Sequence, residues 1–263
     1  MDNFSKICRD IKSVKIQGAT NVAIAGLKAY CLKPTKSSKK IILSLRPTEP
    51  ALQNALKIAE SSSVENALNH FQNAQEFINY FVSRIIRNNS IILTHCHSNT
   101  LVKALIHSFK SGKKFSVINL ETRPLFQGRR TARQLSKAGI KILMTVDSAM
   151  SSDIIKADLI LLGADAITPK GIFNKVGSGA IAELAKLHKK ELFIISDSWK
   201  FSNKPIIVEK RSYSEIWKTN SKKINIDNPA FEFIRKKLIH RIISEFGIQK
   251  YEEFIRDAKD SLT

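Results

Sequence analysis

Cys96 stands in Thr94-His95-Cys96-His97-Ser98-Asn99, between a short apolar run and a helical pattern. A thiol at a helix N-terminus has a lowered pKa, which makes a thiolate available near neutrality as base or nucleophile; the competing role is that of a buried structural cysteine. Asp165 sits in Gly163-Ala164-Asp165-Ala166-Ile167, again just after an apolar run. Two small residues let the chain approach a ligand closely, and a carboxyl group there can act as acid or base, or merely cap a turn. Asn174-Lys175-Val176-Gly177-Ser178-Gly179 leads into a further helical pattern. A Gly-rich turn before a helix presents free N–H groups to an anion, most simply phosphate, and Lys175 adds charge. Its spacing matches neither the P-loop nor the dinucleotide fingerprint. Lys200, in Ser196-Asp197-Ser198-Trp199-Lys200, offers a second positive group. Gln17-Gly18-Ala19-Thr20 and Arg46-Pro47-Thr48 each precede helical stretches and offer N–H groups, with Arg46 suited to a bidentate phosphate contact.

The elements that must carry these groups follow from hydrophobic spacing. Residues 1–88 read as a helical N-terminal domain, with apolar residues at helical intervals in Val22–Leu27, Leu52–Ala59 and Phe71–Ile85. Thr48-Glu49-Pro50 reads as a helix start with Thr48 as N-cap, residues 35–39 as a loop, and Ser61–Ser63 as a break with Ser63 capping the next helix. From residue 89 to 263 the texture changes. Near-continuous apolar runs at 91–94, 115–120, 142–146, 159–162 and 192–195 suit parallel strands buried on both faces. Helical patterns near 98–111, 127–138 and 179–190 alternate with them. The fold class is therefore α/β, with a Rossmann-like, doubly wound, mostly parallel sheet following the helical domain. The tail, 228–262, reads as an amphipathic helix over 235–246 and a weaker one after it. In open α/β sheets ligands bind beyond the carboxyl ends of the strands, where Cys96, Asp165 and Lys200 all fall.

Composition excludes whole classes. The 263 residues are 43% hydrophobic and 25% charged, an ordinary globular balance without a run long enough to span a bilayer. The stretch MDNFSKICRD has no apolar signal core, and three scattered cysteines make neither a disulfide framework nor a zinc site, so a reducing, cytoplasmic protein is expected. Cys8 and Cys31 read as structural. His95 and His97 flank Cys96, but no second ligand cluster at metal spacing exists, and no metal or other cofactor is expected. The net charge of +20 is spread evenly, with 13 Lys/Arg against 6 Asp/Glu in residues 1–88 and 30 against 17 thereafter. That favours a lysine-rich solvated surface over a nucleic-acid-binding face.

Taken together, these segments resemble one family. It comprises archaeal ribose-1,5-bisphosphate isomerases, methylthioribose-1-phosphate isomerases, and the alpha, beta and delta subunits of initiation factor 2B. The matching pieces are Ile16–Thr20, Arg46-Pro47-Thr48, Ile92–Cys96, Glu121-Thr122-Arg123-Pro124, Gly163–Ile167, Asn174–Ser178 and Asn228–Glu232. The resemblance implies a helical domain on a Rossmann-like domain. It also implies a sugar-phosphate aldose–ketose isomerase with Cys96 and Asp165 as the catalytic pair. Substrate contacts would come from Gln17, Gly18, Ala19, Thr20, Arg46, Asn174, Lys175 and Lys200. The non-enzymatic alternative is a regulatory subunit of the initiation-factor type, binding a partner protein or a nucleotide or sugar-phosphate ligand. The retained Cys96–Asp165 pair argues for the enzyme. Gln17 departs from the pattern, standing where the bisphosphate isomerases have Arg, and so does Ile234-Arg235, where Thr-Pro is usual. A homodimer, or a higher even-numbered assembly, is expected through the tail stripe Leu238, Ile239, Ile242, Ile243 and Phe246.

Overall fold

Residues 2–262 are described by the computed structural model. The chain opens with α1 (Asn3–Lys12), α2 (Ala19–Leu32), α3 (Lys36–Leu45), α4 (Pro50–Ser61) and α5 (Val64–Ile85). Small residues let α2 press against α4: a Cβ on Gly26 would lie 2.3 Å from Leu52 Cδ1. Ile11, Val22, Leu27, Ile42, Leu52 and Leu56 form the buried centre of these helices, and Trp199 joins it from the other end of the chain. Ser63 caps α5 as expected, accepting from the Asn66 N–H at 3.0 Å. Two expectations fail here. Residues 35–39 are not a loop, because Thr35 is the N-cap of α3 and its hydroxyl accepts from the Ser38 N–H at 3.1 Å. Thr48 does not cap α4; Glu49 holds that position, Pro50 opens the helix, and the Thr48 hydroxyl instead donates to the Ile207 carbonyl at 2.5 Å.

Beyond α5 the chain alternates β1 (Ser90–Thr94), α6 (Asn99–Lys110), β2 (Phe115–Leu120), α7 (Gln127–Lys137), β3 (Lys141–Thr145), α8 (Met150–Lys156) and β4 (Leu159–Gly163). A hairpin of β5 (Ala166–Thr168) and β6 (Gly171–Lys175) follows, then α9 (Ser178–Leu187), β7 (Leu192–Ile195), β8 (Phe231–Arg235), β9 (Arg241–Ser244), β10 (Gly247–Gln249) and α10 (Tyr251–Asp260). The main sheet has seven strands in the order β10-β9-β7-β4-β1-β2-β3, parallel except for β10. A small antiparallel sheet, β5-β6-β8, stands beside it. Adjacent residues of each strand serve opposite faces. Leu93, Ile160, Leu162, Ile194 and Ile242 pack toward α8, α9 and α10, whereas Ile92, Leu161, Phe193, Ile195 and Ile243 pack toward α5, α6 and α7. Burial on both faces is what makes β1, β2, β4 and β7 read as unbroken apolar runs; β3, expected to be buried likewise, forms the edge of the sheet and is largely exposed.

The expected helix over 235–246 is absent. That stretch completes β8, makes one 3-10 turn and becomes β9, parallel to β7. Leu238, Ile239, Ile242 and Ile243 are buried within their own chain, so they form no free stripe for a partner. The weaker helix after it is real, as α10. Exposed apolar side chains lie elsewhere, among them Leu143, Met144, Val146 and Ile155 at the β3 edge and on α8, and Ile207, Tyr213, Ile216 and Trp217 on the irregular stretch after β7. Among the described residues, no helix is long and apolar enough to cross a membrane.

The chain runs from β1 outward to β2 and β3, then returns to lay β4 on the other side of β1. The strand order thus reverses between β1 and β4, and a crevice opens beyond their carboxyl ends. Cys96 follows β1 and Asp165 follows β4.

Candidate active site

Gln17, Gly18, Ala19, Thr20, Arg46, Cys96, Asp165, Asn174, Lys175 and Lys200 all line one cleft of about 840 Å3, part of it open to solvent. Sequence could not bring residues 17–20 and Arg46 to the sheet, and three contacts do so. Asn54 on α4 donates to the Trp199 and Phe201 carbonyls at 2.7 and 3.0 Å, and the Thr20 hydroxyl donates to Asp197 Oδ2 at 3.4 Å. These bonds set the start of α2 above the turn that carries Lys200. Gly18 takes a φ of +87° at that start, and no side chain caps the helix. The first-turn N–H groups of α2, which have no partner inside the helix, border the cleft.

The turn at 174–179 departs from expectation in one respect. The Gly179 N–H is already taken by Glu232 Oε1 at 2.7 Å, so the protein's own carboxylate holds the start of α9. Gly177, at φ +102°, serves close packing, since a Cβ there would lie 3.1 Å from His95 Nε2. Asn174 and Lys175 reach the cleft as side chains of β6, with Asn174 Nδ2 donating to Ser178 Oγ at 3.0 Å.

Cys96 adopts a left-handed φ of +67°, fixed from both sides: its N–H donates to Thr122 Oγ1 at 2.8 Å and its carbonyl accepts from Thr131 Oγ1 at 2.8 Å. Helix α6 begins only at Asn99, with Ser98 as its cap, so Cys96 lies outside the first turn. The expected lowering by a helix terminus is overridden. Burial pushes the thiol up to about 12; Lys175 pulls it down, while the charge of Asp165 pushes it further up. Cys31 is exposed. Iodoacetamide at pH 7 is therefore expected to label Cys31 and to leave Cys96 largely unmodified, with Cys96 labelling climbing as the pH is raised toward 10. Peptide mass mapping checks this, and equal labelling of both at pH 7 would contradict it.

The flanking histidines are engaged in the framework. His95 Nε2 donates to the Val176 carbonyl at 2.9 Å, which leaves Nδ1 as an acceptor 3.2 Å from the Thr122 hydroxyl. His97 contacts Thr131 Oγ1 and Asn99 Oδ1 at 2.9 and 2.8 Å. Burial keeps both neutral, His97 falling to about 4 with Arg130 adding to the effect. Asp147 accepts the N–H groups of Thr122 and Arg123 at 2.8 and 2.6 Å, tying the exits of β2 and β3 together.

Asp165 is held by its N–H bond to the Phe173 carbonyl at 2.9 Å. Burial raises its carboxyl above the usual range against the opposing pull of Lys200, Arg46 and Lys175, with Glu209 raising it further. It is thus a carboxyl group biased toward its protonated form amid three cations, across the cleft from a thiol. Lys200 is 3% exposed and lies 3.9 Å from Asp197 Oδ2. Behind it, Glu245 accepts from the Ser198 N–H at 3.1 Å, and His70 stacks on Trp199 at 3.8 Å.

Three charged residues at or just behind the cleft escaped the sequence reading. Glu49 pairs with Arg46 Nη2 at 2.8 Å, Glu209 with Arg46 Nε at 3.1 Å, and Arg211 with Glu209 Oε1 at 2.8 Å. Glu49 reads from sequence only as a first-turn helix residue. Glu209 and Arg211 lie on an irregular stretch after β7, where no strand exit marks them.

A model of the Initiation factor 2 subunit family matches residues 51–251. The ribose 1,5-bisphosphate isomerase of Thermococcus kodakarensis is 32% identical, covering 92% of this chain and 89% of that one. The protein of the same name from Methanocaldococcus jannaschii is 32% identical, covering 94% and 92%. Among solved structures, the Pyrococcus horikoshii translation initiation factor eIF-2B superposes with a TM-score of 0.87 at 21% identity, covering 97% of this chain and 99% of that one.

Proposed function

This chain belongs to the initiation factor 2 subunit family, and on that premise we propose that it is an aldose–ketose isomerase converting ribose 1,5-bisphosphate to ribulose 1,5-bisphosphate. The observation that carries this reading is the meeting of Cys96 and Asp165 at the strand-order reversal, in one cleft with Arg46, Lys175 and Lys200. A binding module needs the cations but not the thiol, nor a carboxyl group that burial biases toward its acid form.

The reaction moves one hydrogen from C2 to C1 of the sugar while the furanose ring opens. Asp165, biased toward its acid form, gives its proton to the ring oxygen as the C1–O bond breaks. Cys96, as thiolate, takes the C2 proton, and that C–H electron pair becomes the C1=C2 bond of an enol. The thiol then returns its proton to C1, and the C2 hydroxyl passes its proton to the Asp165 carboxylate as the ketone forms. Both groups end as they began, and no electrons leave the sugar, so the chemistry asks for no redox cofactor. At rest, burial keeps Cys96 as the thiol, so the thiolate that takes the C2 proton is its minor form, and Lys175 is the charge that favours it. The phosphates draw on separate donors: the α2 start with Arg46 and Lys200, and Asn174 with Lys175.

Incubation with ribose 1,5-bisphosphate, read out as ribulose 1,5-bisphosphate, tests this directly. Absence of product from folded protein would return the reading to the non-enzymatic alternative. Self-association as a homodimer belongs to the same proposal. With the tail residues buried, the exposed Leu143, Met144, Val146 and Ile155 at the open edge of the main sheet offer an apolar surface for a second copy.

A further inference from the structure

Arg46 enters the cleft already neutralised. Glu49 Oε1 lies 2.8 Å from its Nη2 and Glu209 Oε2 lies 3.1 Å from its Nε, so two carboxylates share one guanidinium. Glu209 is itself shared with Arg211, whose remaining face is closed by Glu215 at 2.6 Å. Lys200 meets its nearest carboxylate only at 3.9 Å, and among the described residues Lys175 makes no ion pair. Glu49 is 0% exposed and does not border the cleft; it stands behind Arg46. Arg46 Nη1 and Nε, Glu49 Oε2 and Glu209 Oε2 are all buried without a hydrogen-bond partner, so the Arg46–Glu209 contact is an ion pair alone. Unsatisfied buried donors and acceptors within one ion-pair cluster are costly, and either a ligand or a proton relieves them.

We propose that Glu49 is a positioning residue acting through Arg46: its ionised carboxylate occupies the guanidinium charge, and a substrate phosphate takes Arg46 fully only as Glu49 gains a proton. This rests on the isomerase reading for the identity of the ligand. The groups facing Glu49 are Arg46 and Lys200, which favour its charged form, and Asp165 and Glu209, which oppose it. Burial outweighs them all and pushes the carboxyl up to about 7. A phosphate dianion arriving at Arg46 adds negative charge on the side now balanced by the guanidinium, which raises Glu49 further. Binding is thereby linked to proton uptake, and affinity falls as the pH rises above 7, by up to about tenfold per pH unit. The ligand's own second phosphate ionisation, near pH 6, acts in the opposite sense and is common to every variant.

The test is calorimetric titration of ribose 1,5-bisphosphate at pH 7.5 in buffers of different ionisation enthalpy, on the wild type and on Glu49→Gln. The wild type is expected to take up a substantial fraction of a proton per ligand. Glu49→Gln is expected to lose that uptake and to bind at pH 8.5 as tightly as at pH 7.5. Glu49→Asp, which keeps a carboxylate beside Arg46, is expected to restore uptake. Uptake unchanged in Glu49→Gln overturns the proposal, as does a wild type that binds without uptake, a result that stands even if the variants fail to fold. Binding with uptake but without turnover overturns only the isomerase reading; turnover without uptake overturns only the role of Glu49. No binding by the wild type overturns both.

Discussion

Cys96→Ser and Asp165→Asn are each expected to cut ribulose 1,5-bisphosphate formation by about 10³-fold, the middle of the range for losing a general acid or base. Serine keeps the shape of the site. The left-handed backbone at residue 96 is held by the Thr122 and Thr131 hydroxyls, which bond only main-chain atoms of Cys96, and these bonds survive the change. What is lost is acidity, because a serine hydroxyl is a far weaker acid than a thiol. Asparagine is nearly isosteric with Asp165 and fits a site where burial already disfavours charge, so the fold stands, but it has no acid proton for the ring oxygen. Both variants should therefore melt within a few degrees of the wild type while losing turnover. Full activity in either removes that residue from the mechanism. Loss of activity together with loss of the thermal transition would mean that the residue was holding structure.

The placement of Cys96 and Asp165 at one edge of the sheet was legible because two signals coincide there. The apolar runs that became β1 and β4 are too uniform for a half-exposed strand, and each is followed at once by polar residues with small neighbours. Placement at carboxyl ends then followed from the architecture. The protonation of Cys96 was not legible. Sequence offered a helix start nearby, whereas the thiol lies three residues before α6 and burial decides its state. Nor was the Arg46 cluster. Glu49 and Glu209 are 160 residues apart, joined by a bond from Thr48 to the Ile207 carbonyl that belongs to no regular element. Thr35 through Lys39 misled for a local reason: hydroxyls that favour a loop are also those that cap a helix, and here they cap α3.

The tail misled most, and its correction yields the largest stability effect expected. Residues 238, 239, 242, 243 and 246 are apolar at helical spacing, yet the pairs Leu238-Ile239 and Ile242-Ile243 equally suit a strand buried on both faces. Their β-branched isoleucines and a sheet needing a strand beside β7 decide for β9. Ile242 and Ile243 are each 0% exposed and face opposite layers. Ile242→Asp therefore does not simply peel two subunits apart. It removes an aliphatic side chain worth about 2–5 kcal/mol and places a carboxylate among apolar neighbours at a cost of several kcal/mol more, against a total stability of about 5–15 kcal/mol. The variant is expected to lose its cooperative melting transition and to accumulate as aggregate. Val146→Asp, by contrast, alters a side chain 52% exposed at the β3 edge and should leave the melting temperature nearly unchanged while shifting the light-scattering mass toward the 29.6 kDa of one chain. A folded, monomeric Ile242→Asp would restore the tail as the interface. A wild type already scattering as a monomer would leave the β3 edge without a second copy to cover it.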